Sequence, residues 1–422
     1  MTGQRNPVPR RMGKAFPAGE THAVGAADAF RGSDSRPDAF DSLEGLRAME
    51  HSPSPAATRS FLMSEYEKIY SFQNLYRAYK LSARSKRHKK DVIRFELNLS
   101  ENLWRLHDAL ESKTYRPAPY YHFTIHDPKT REIQALRFAD RVVQRSLCDN
   151  VLRPWFDVRL IYDCAACRKG KGTHFAMNRL TEFIRSYYRQ HGGRGWILKC
   201  DVRKYFDSVD HVALKARLRR YPDPDVQEML YRIVDSYNPD TGKGLPMGNQ
   251  RSQWFALYYL DGIDRIIKEK YRIKYYTRYM DDLVLLHPDK ETLERCLAEI
   301  REVAGRELKL EFNQKTQIVP ISQGVDYVGW HFYLTDTDKV IRRLRTSNKR
   351  RFKRRLKLFQ RQYAARKTDL DTIKRSLASY RGHLMHGHTW KLSKKLFGKF
   401  VLVRPSMEGA AHLKMKEPME NT

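Results

Sequence analysis

Two adjacent aspartates set between apolar, β-prone runs constrain this chain more than any other feature. The run from Ile273 to Leu286 carries Tyr279, Met280, Asp281 and Asp282 at its centre. Its flanks predict two strands, and its polar centre predicts the turn of a β-hairpin. Neighbouring carboxylates repel and raise each other's pKa unless a cation neutralises them. Hard oxygen donors of this kind suit Mg²⁺. A solvated polar turn is the plain alternative, but it does not account for apolar residues on both sides.

The charge balance narrows the partners. The 422 residues hold 80 Lys+Arg against 49 Asp+Glu, a net +31, which favours a polyanion. With 12% aromatic residues, stacking on bases is compatible with the composition. A membrane is the competing partner, but no apolar run approaches the roughly 20 residues that would span one. Neither does the start, Met1 to Lys14, contain the apolar segment of a secretory signal. Five cysteines fit a reduced cytoplasm better than a disulfide framework. Cys164 and Cys167 have metal-like spacing without a second pair, and His383, His386 and His388 lack matching partners, so packing is the expectation for both.

Along the chain, residues 1–62 are rich in Gly, Pro, Ala and Ser and predict a disordered extension, with Met63 a sensible domain start. Ile69, Phe72, Leu75, Tyr76 and Tyr79 then share one helical face, and a second helix is expected over 100–109. Residues 120–126 and 131–138 read as a hairpin whose tip carries Lys129 and Arg131. The basic, glycine-punctuated loop from Arg168 through Lys171 to His174 suits phosphate without being a Walker loop. Trp196 to Asp201 reads as a buried strand ending in an acid, 80 residues before Asp281. Gly244 to Gln253 is a loop opening into a helix expected to reach about Lys268, and Gly248 allows close approach of a ligand. Between Arg342 and Lys367, thirteen cations occur with no acid. Phe352, Leu356, Phe359 and Tyr363 keep helical spacing through that run, so one face packs while Arg350, Arg351, Arg354 and Arg355 face a phosphate backbone.

In this order the segments resemble a reverse transcriptase over about residues 65–400. Lys129 and Arg131 resemble the fingers residues that hold an incoming triphosphate. Asp201 with Phe206 resembles palm motif A, Gly244–Gln253 motif B, Tyr279–Asp282 motif C, Leu310–Thr316 with Lys315 motif D, and Tyr327–Phe332 with Gly329 and Trp330 the primer grip of motif E. Met247-Gly248 followed by Ser252-Gln253 is most similar to the diversity-generating retroelement lineage, related to group II intron and retron enzymes.

The resemblance implies an α+β right-hand polymerase: fingers over 63–195, a ferredoxin-like palm over 196–335, a basic helical thumb over 336–405 and a flexible tail over 406–422. It implies a cytoplasmic, bacterial or phage-encoded RNA-directed DNA polymerase, error-prone at template adenines. Two Mg²⁺ ions, with Mn²⁺ able to substitute, would sit on Asp201, Asp281 and Asp282. Lys129, Arg131, Phe206, Met247, Gly248, Gln253 and Lys315 would contact the deoxynucleoside triphosphate. Arg168, Lys171, Tyr279, Gly329, Trp330 and the thumb arginines would hold template RNA, primer and the RNA–DNA hybrid. A small basic accessory protein oligomer is the implied partner. Neither an RNase H nor an endonuclease domain is expected. An antiphage reverse transcriptase and a group II intron-like maturase or retron enzyme are the rival readings.

Overall fold

The computed structural model describes residues 63–126, 130–335, 337 and 339–404. The expected N-terminal extension and C-terminal tail lie outside the described residues, as does Lys129. The described strands are β1 (Tyr121–Ile125), β2 (Arg131–Ala135), β3 (Trp196–Asp201), β4 (Tyr275–Tyr279), β5 (Asp282–His287), β6 (Gln317–Pro320), β7 (Val325–Tyr327), β8 (Trp330–Leu334) and β9 (Val340–Leu344).

The central sheet runs β4-β5-β3-β6, with every neighbouring pair antiparallel. Helices separate β3 from β4 and β5 from β6, giving the split β-α-β order of a ferredoxin-like unit. Alternation along the strands fills two cores. Leu198, Cys200, Leu283 and Leu285 face one, while Ile197, Val284 and Leu286 face the other. The first core is closed by helices Gln250–Tyr259 and Lys290–Leu308, the second by helix Thr173–His191 and the β7-β8-β9 sheet. Aspartates start the connecting helices: Asp210, Asp223 and Asp289 each accept from backbone N–H groups of the first turn.

Before the palm, helices Phe72–Ala83, Leu99–Glu111 and Phe138–Leu147 bury Ile69, Leu75, Tyr79, Leu103 and Leu110. Tyr76 was expected on the inner face and is exposed, because helix Phe72–Ala83 buries the face of Leu75, Ala78, Tyr79 and Ala83 and Tyr76 falls at its edge. Helix Lys90–Leu97, following the basic stretch Arg84–Lys89, carried no helix expectation. After β9, helices Thr346–Ala364, Leu370–Leu384 and Trp390–Phe397 enclose Phe352, Leu356, Leu384 and Leu396. Arg342 and Arg343 belong to β9, not to the basic helix. The helix expected to reach Lys268 is interrupted at Leu260 and ends in a wider turn over Ile266–Lys270. Among the described residues no helix is long and apolar enough to cross a membrane.

Candidate active site

The sheet order brings together acids that are far apart in sequence. Asp201 ends β3 and lies directly opposite Asp282, which opens β5. Asp282 also faces Tyr279 across the β4–β5 hairpin, leaving Met280-Asp281 as a two-residue turn. Met280 adopts φ +55°, the left-handed conformation that such a tight hairpin turn demands. Asp201, Asp281 and Asp282 therefore share one end of the sheet.

Asp281 is pushed up to about 6, chiefly by burial and then by the charge of Asp201, with Lys199 and Arg278 pulling the other way. Lys199 stands two residues before Asp201, on the same face of β3, and its ammonium pairs with the Asp282 carboxylate. Burial lowers Lys199 to about 8, and its Nζ lies 5.5 Å from the Tyr327 ring centroid. The donor set fits a divalent metal: two half-buried carboxylates repel each other, and a cation relieves that repulsion. Among the described residues, the group already gathered to metal-ligand spacing is a different one, His107, Asp108 and Glu111 on a helix before the palm. In the acid triad, Asp282 is instead engaged by Lys199.

Neighbouring segments are strapped to this end of the sheet. The Asp201 carbonyl accepts from Asn313 N at 2.7 Å, and Asp201 N donates to Thr316 Oγ1 at 3.2 Å, which sets the exposed Lys315 beside it. The half-buried Phe206 follows, its carbonyl accepting from Leu245 N at 2.7 Å. This ties the loop of Met247 and Gly248 to the Phe206 turn. Gly248 has φ +91° with open space where a Cβ would stand. Gln253, on the first turns of helix Gln250–Tyr259, accepts from Cys167 Sγ at 3.1 Å. Cys164 forms a bridge with Arg278 on the β4 edge. The Cys-Ala-Ala-Cys run is thus a strap along the sheet.

The other residues expected at the site are placed as follows. The Arg168 guanidinium binds Asp157 Oδ1 at 2.8 Å and the carbonyls of Asp157 and Ile161, so it pins its own loop. Trp330 is fully buried against His383 and Gly387, so the indole packs inside the protein. Lys171 is half-exposed, held by the Tyr162 carbonyl and stacked over the Tyr162 ring at 4.2 Å. Tyr279 is half-buried, and Gly329, φ +88°, forms the β7–β8 turn. Arg131 opens β2 opposite Ile125. Arg350, Arg351 and Arg354 are exposed, whereas Arg355 is half-buried over Phe359. Arg342 points inward, donating to Thr181 Oγ1 at 3.0 Å, Asn178 Oδ1 at 2.9 Å and the His386 carbonyl at 3.3 Å.

Sequence reasoning missed Lys199 and the buried pair Arg278–Asp264. Lys199 was within reach, since its spacing from Asp201 on a strand already puts both on one face. Nothing local signals that Arg278 meets Asp264.

Residues 126–332 match the family model described as reverse transcriptase (RNA-dependent DNA polymerase). Over that stretch the chain resembles a reverse transcriptase domain, and its mixed helix-and-sheet architecture with the acids at one end of the sheet fits a right-hand polymerase fold. Among curated proteins it is similar to Protein YkfC of Escherichia coli K12, 26% identical over 276 residues covering 56% of this chain and 72% of that one. It is also similar to the group II intron-encoded protein LtrA of Lactococcus lactis, 22% identical over 241 residues covering 52% of this chain. That alignment spans 36% of LtrA, so the chain matches about a third of this relative's length. Among solved structures, telomerase from Candida albicans aligns with a TM-score of 0.42 at 13% identity, covering 57% of this chain and 51% of that one. Telomerase from Candida tropicalis aligns with a TM-score of 0.39 at 12% identity, covering 54% and 49%.

Proposed function

We propose that this chain copies an RNA template into DNA by adding deoxynucleotides to a primer 3′-OH with release of pyrophosphate. One observation carries the reading: Asp201 and Asp282 are register partners beside the Asp281 turn. Asp201 and Asp281 would hold Mg²⁺, with Asp282 completing the cluster. Bound there, two such ions supply the charge that activates the attacking hydroxyl and stabilises the leaving group. The protein's own part is to position and neutralise. Lys129 and Arg131 bind the triphosphate through charge-assisted hydrogen bonds. Phe206 stacks beneath the sugar and excludes a 2′-OH. Lys315 gives a proton to the departing pyrophosphate. The exposed thumb arginines track the phosphates of the hybrid.

The finer reading is an error-prone enzyme of a diversity-generating retroelement, working with a small basic accessory oligomer. Met247 supports it, because an aliphatic side chain offers the nascent pair none of the donors or acceptors that a glutamine would. The likeness to a group II intron-encoded protein gives a group II-like role comparable weight. Primer extension on RNA templates, with each deoxynucleotide omitted in turn, tests both levels. Extension past template adenines without dTTP is the result expected of the retroelement reading. Faithful stalling leaves the polymerase but removes that reading, and no extension removes the polymerase. Met247→Gln is expected to lower misincorporation opposite adenine.

A further inference from the structure

A guanidinium with no exposure sits behind the catalytic turn. Arg278 lies on β4, three residues before Asp281, and its side chain and that of Asp264 are both 0% exposed. Its Nε donates to Asp264 Oδ1 at 2.8 Å and its Nη2 to Asp264 Oδ2 at 2.5 Å, a two-pronged ion pair. The remaining donors go to backbone. Nη1 reaches the Met280 carbonyl at 2.9 Å, and Nη2 the Leu257 carbonyl at 3.0 Å. Tyr276 adds a hydroxyl bond to Asp264 Oδ1 at 2.5 Å. The backbone of Arg278 is clamped as well, its N–H donating to the Asp163 carbonyl and its C=O accepting from Ala165 N.

A buried ion pair is weak evidence for a stability role, because an apolar pair of similar volume often does as well or better. Its geometry has to be explained by what it holds. One planar fork here joins three elements: the turn through Met280, the helix Gln250–Tyr259 through Leu257, and Asp264 beyond that helix. The Met280 carbonyl belongs to the residue in the left-handed conformation, immediately before Asp281. Rotating that peptide would swing the Asp281 carboxylate, and Arg278 is the side chain that fixes it.

We infer that Arg278, oriented by Asp264, is a positioning residue that fixes the Met280-Asp281 turn and registers the metal-holding carboxylate against the helix carrying Gln253. This rests on the polymerase reading and deepens it. A lysine cannot replace the fork, since a point ammonium cannot serve Asp264, Met280 and Leu257 with fixed directions. Misplacing a reacting group by about 1 Å lowers turnover by about 100-fold.

The test compares wild type, Arg278→Lys, Asp264→Asn and the apolar double variant Arg278→Met/Asp264→Leu. Each is measured for urea unfolding, for primer–template affinity, for kcat and KM of the nucleotide, and for Mn²⁺ binding by electron paramagnetic resonance without substrate. The expected result is a folded double variant whose kcat falls about 100-fold. Primer–template affinity and nucleotide KM stay within a few-fold of wild type, while Mn²⁺ binding weakens at least several-fold. A folded double variant with wild-type kcat and Mn²⁺ binding overturns the inference. Failure of all three variants to fold also overturns it, since the pair would then hold the core and not the turn. Wild type that fails to extend a primer refutes the polymerase reading itself, and the Mn²⁺ comparison still judges Arg278 independently.

Discussion

Replacing Asp281 with asparagine is expected to make the metal-free protein more stable while abolishing synthesis. In the folded chain burial, with the charge of Asp201, pushes Asp281 up to about 6 from an ordinary 3.8. An acid whose pKa rises on folding binds its proton more tightly in the native state, so ionising it costs stability as pH climbs from 3.8 through about 6. That rise gives a cost of about 3 kcal/mol at pH 7.5, about 1.5 at pH 5 and about 0.5 at pH 4. Solvent at the mouth of the site screens part of this, leaving about 1–3 kcal/mol near neutrality. Asparagine keeps the shape and removes the charge. Urea midpoints in chelator should therefore rise for Asp281→Asn at pH 7.5, and the gain should shrink toward pH 4. Adding Mg²⁺ should stabilise wild type above pH 6 and leave the variant unmoved. A variant no more stable than wild type at pH 7.5, or a gain independent of pH, refutes the account of a strained carboxylate awaiting a cation.

Three further outcomes follow from the same geometry. Lys199→Met leaves Asp282 without its counter-charge; the metal-free protein should lose stability while Mn²⁺ binds several-fold more tightly, read by resonance titration. At Gly387 a Cβ would stand 2.0 Å from the Trp330 ring. Gly387→Ala should thus lower stability by about 1–3 kcal/mol, seen in thermal unfolding, with partial recovery in combination with Trp330→Phe. Replacing the exposed Arg350, Arg351 and Arg354 by glutamine should reduce the log–log salt slope of hybrid binding by about 2–3, while a slope unchanged from wild type would place the hybrid elsewhere.

The legible parts of this chain were those fixed by local chemistry. The acid-bearing hairpin follows from β-prone flanks around Met280-Asp281, and the basic helix from the spacing of Phe352, Leu356 and Phe359. The strand ending in Asp201 was legible too, but its pairing with Asp282 depends on sheet order, which no short segment encodes. Trp330 was expected, with Gly329, in the primer grip, and its full burial is not signalled by any neighbouring residue. Its burial is decided by Gly387, far along the chain. Arg168 and Arg342 looked like free cations, yet each finds several acceptors only after folding. The Arg278–Asp264 pair was invisible for the same reason. A charged residue inside a β-prone run reads as surface until a distant partner is known.

The closeness of Trp330 to Gly387 has a mechanical consequence. The indole is seated in a notch that only a residue without a side chain can provide, so the joint between the last sheet and the following helices behaves as a rivet. Arg342, bridging Asn178, Thr181 and the His386 carbonyl, fastens the same seam from its other side. A displacement of the basic helices would reach β8 and β9 through this joint, and β8 and β9 share a core with Ile197, Val284 and Leu286 of the acid-bearing sheet.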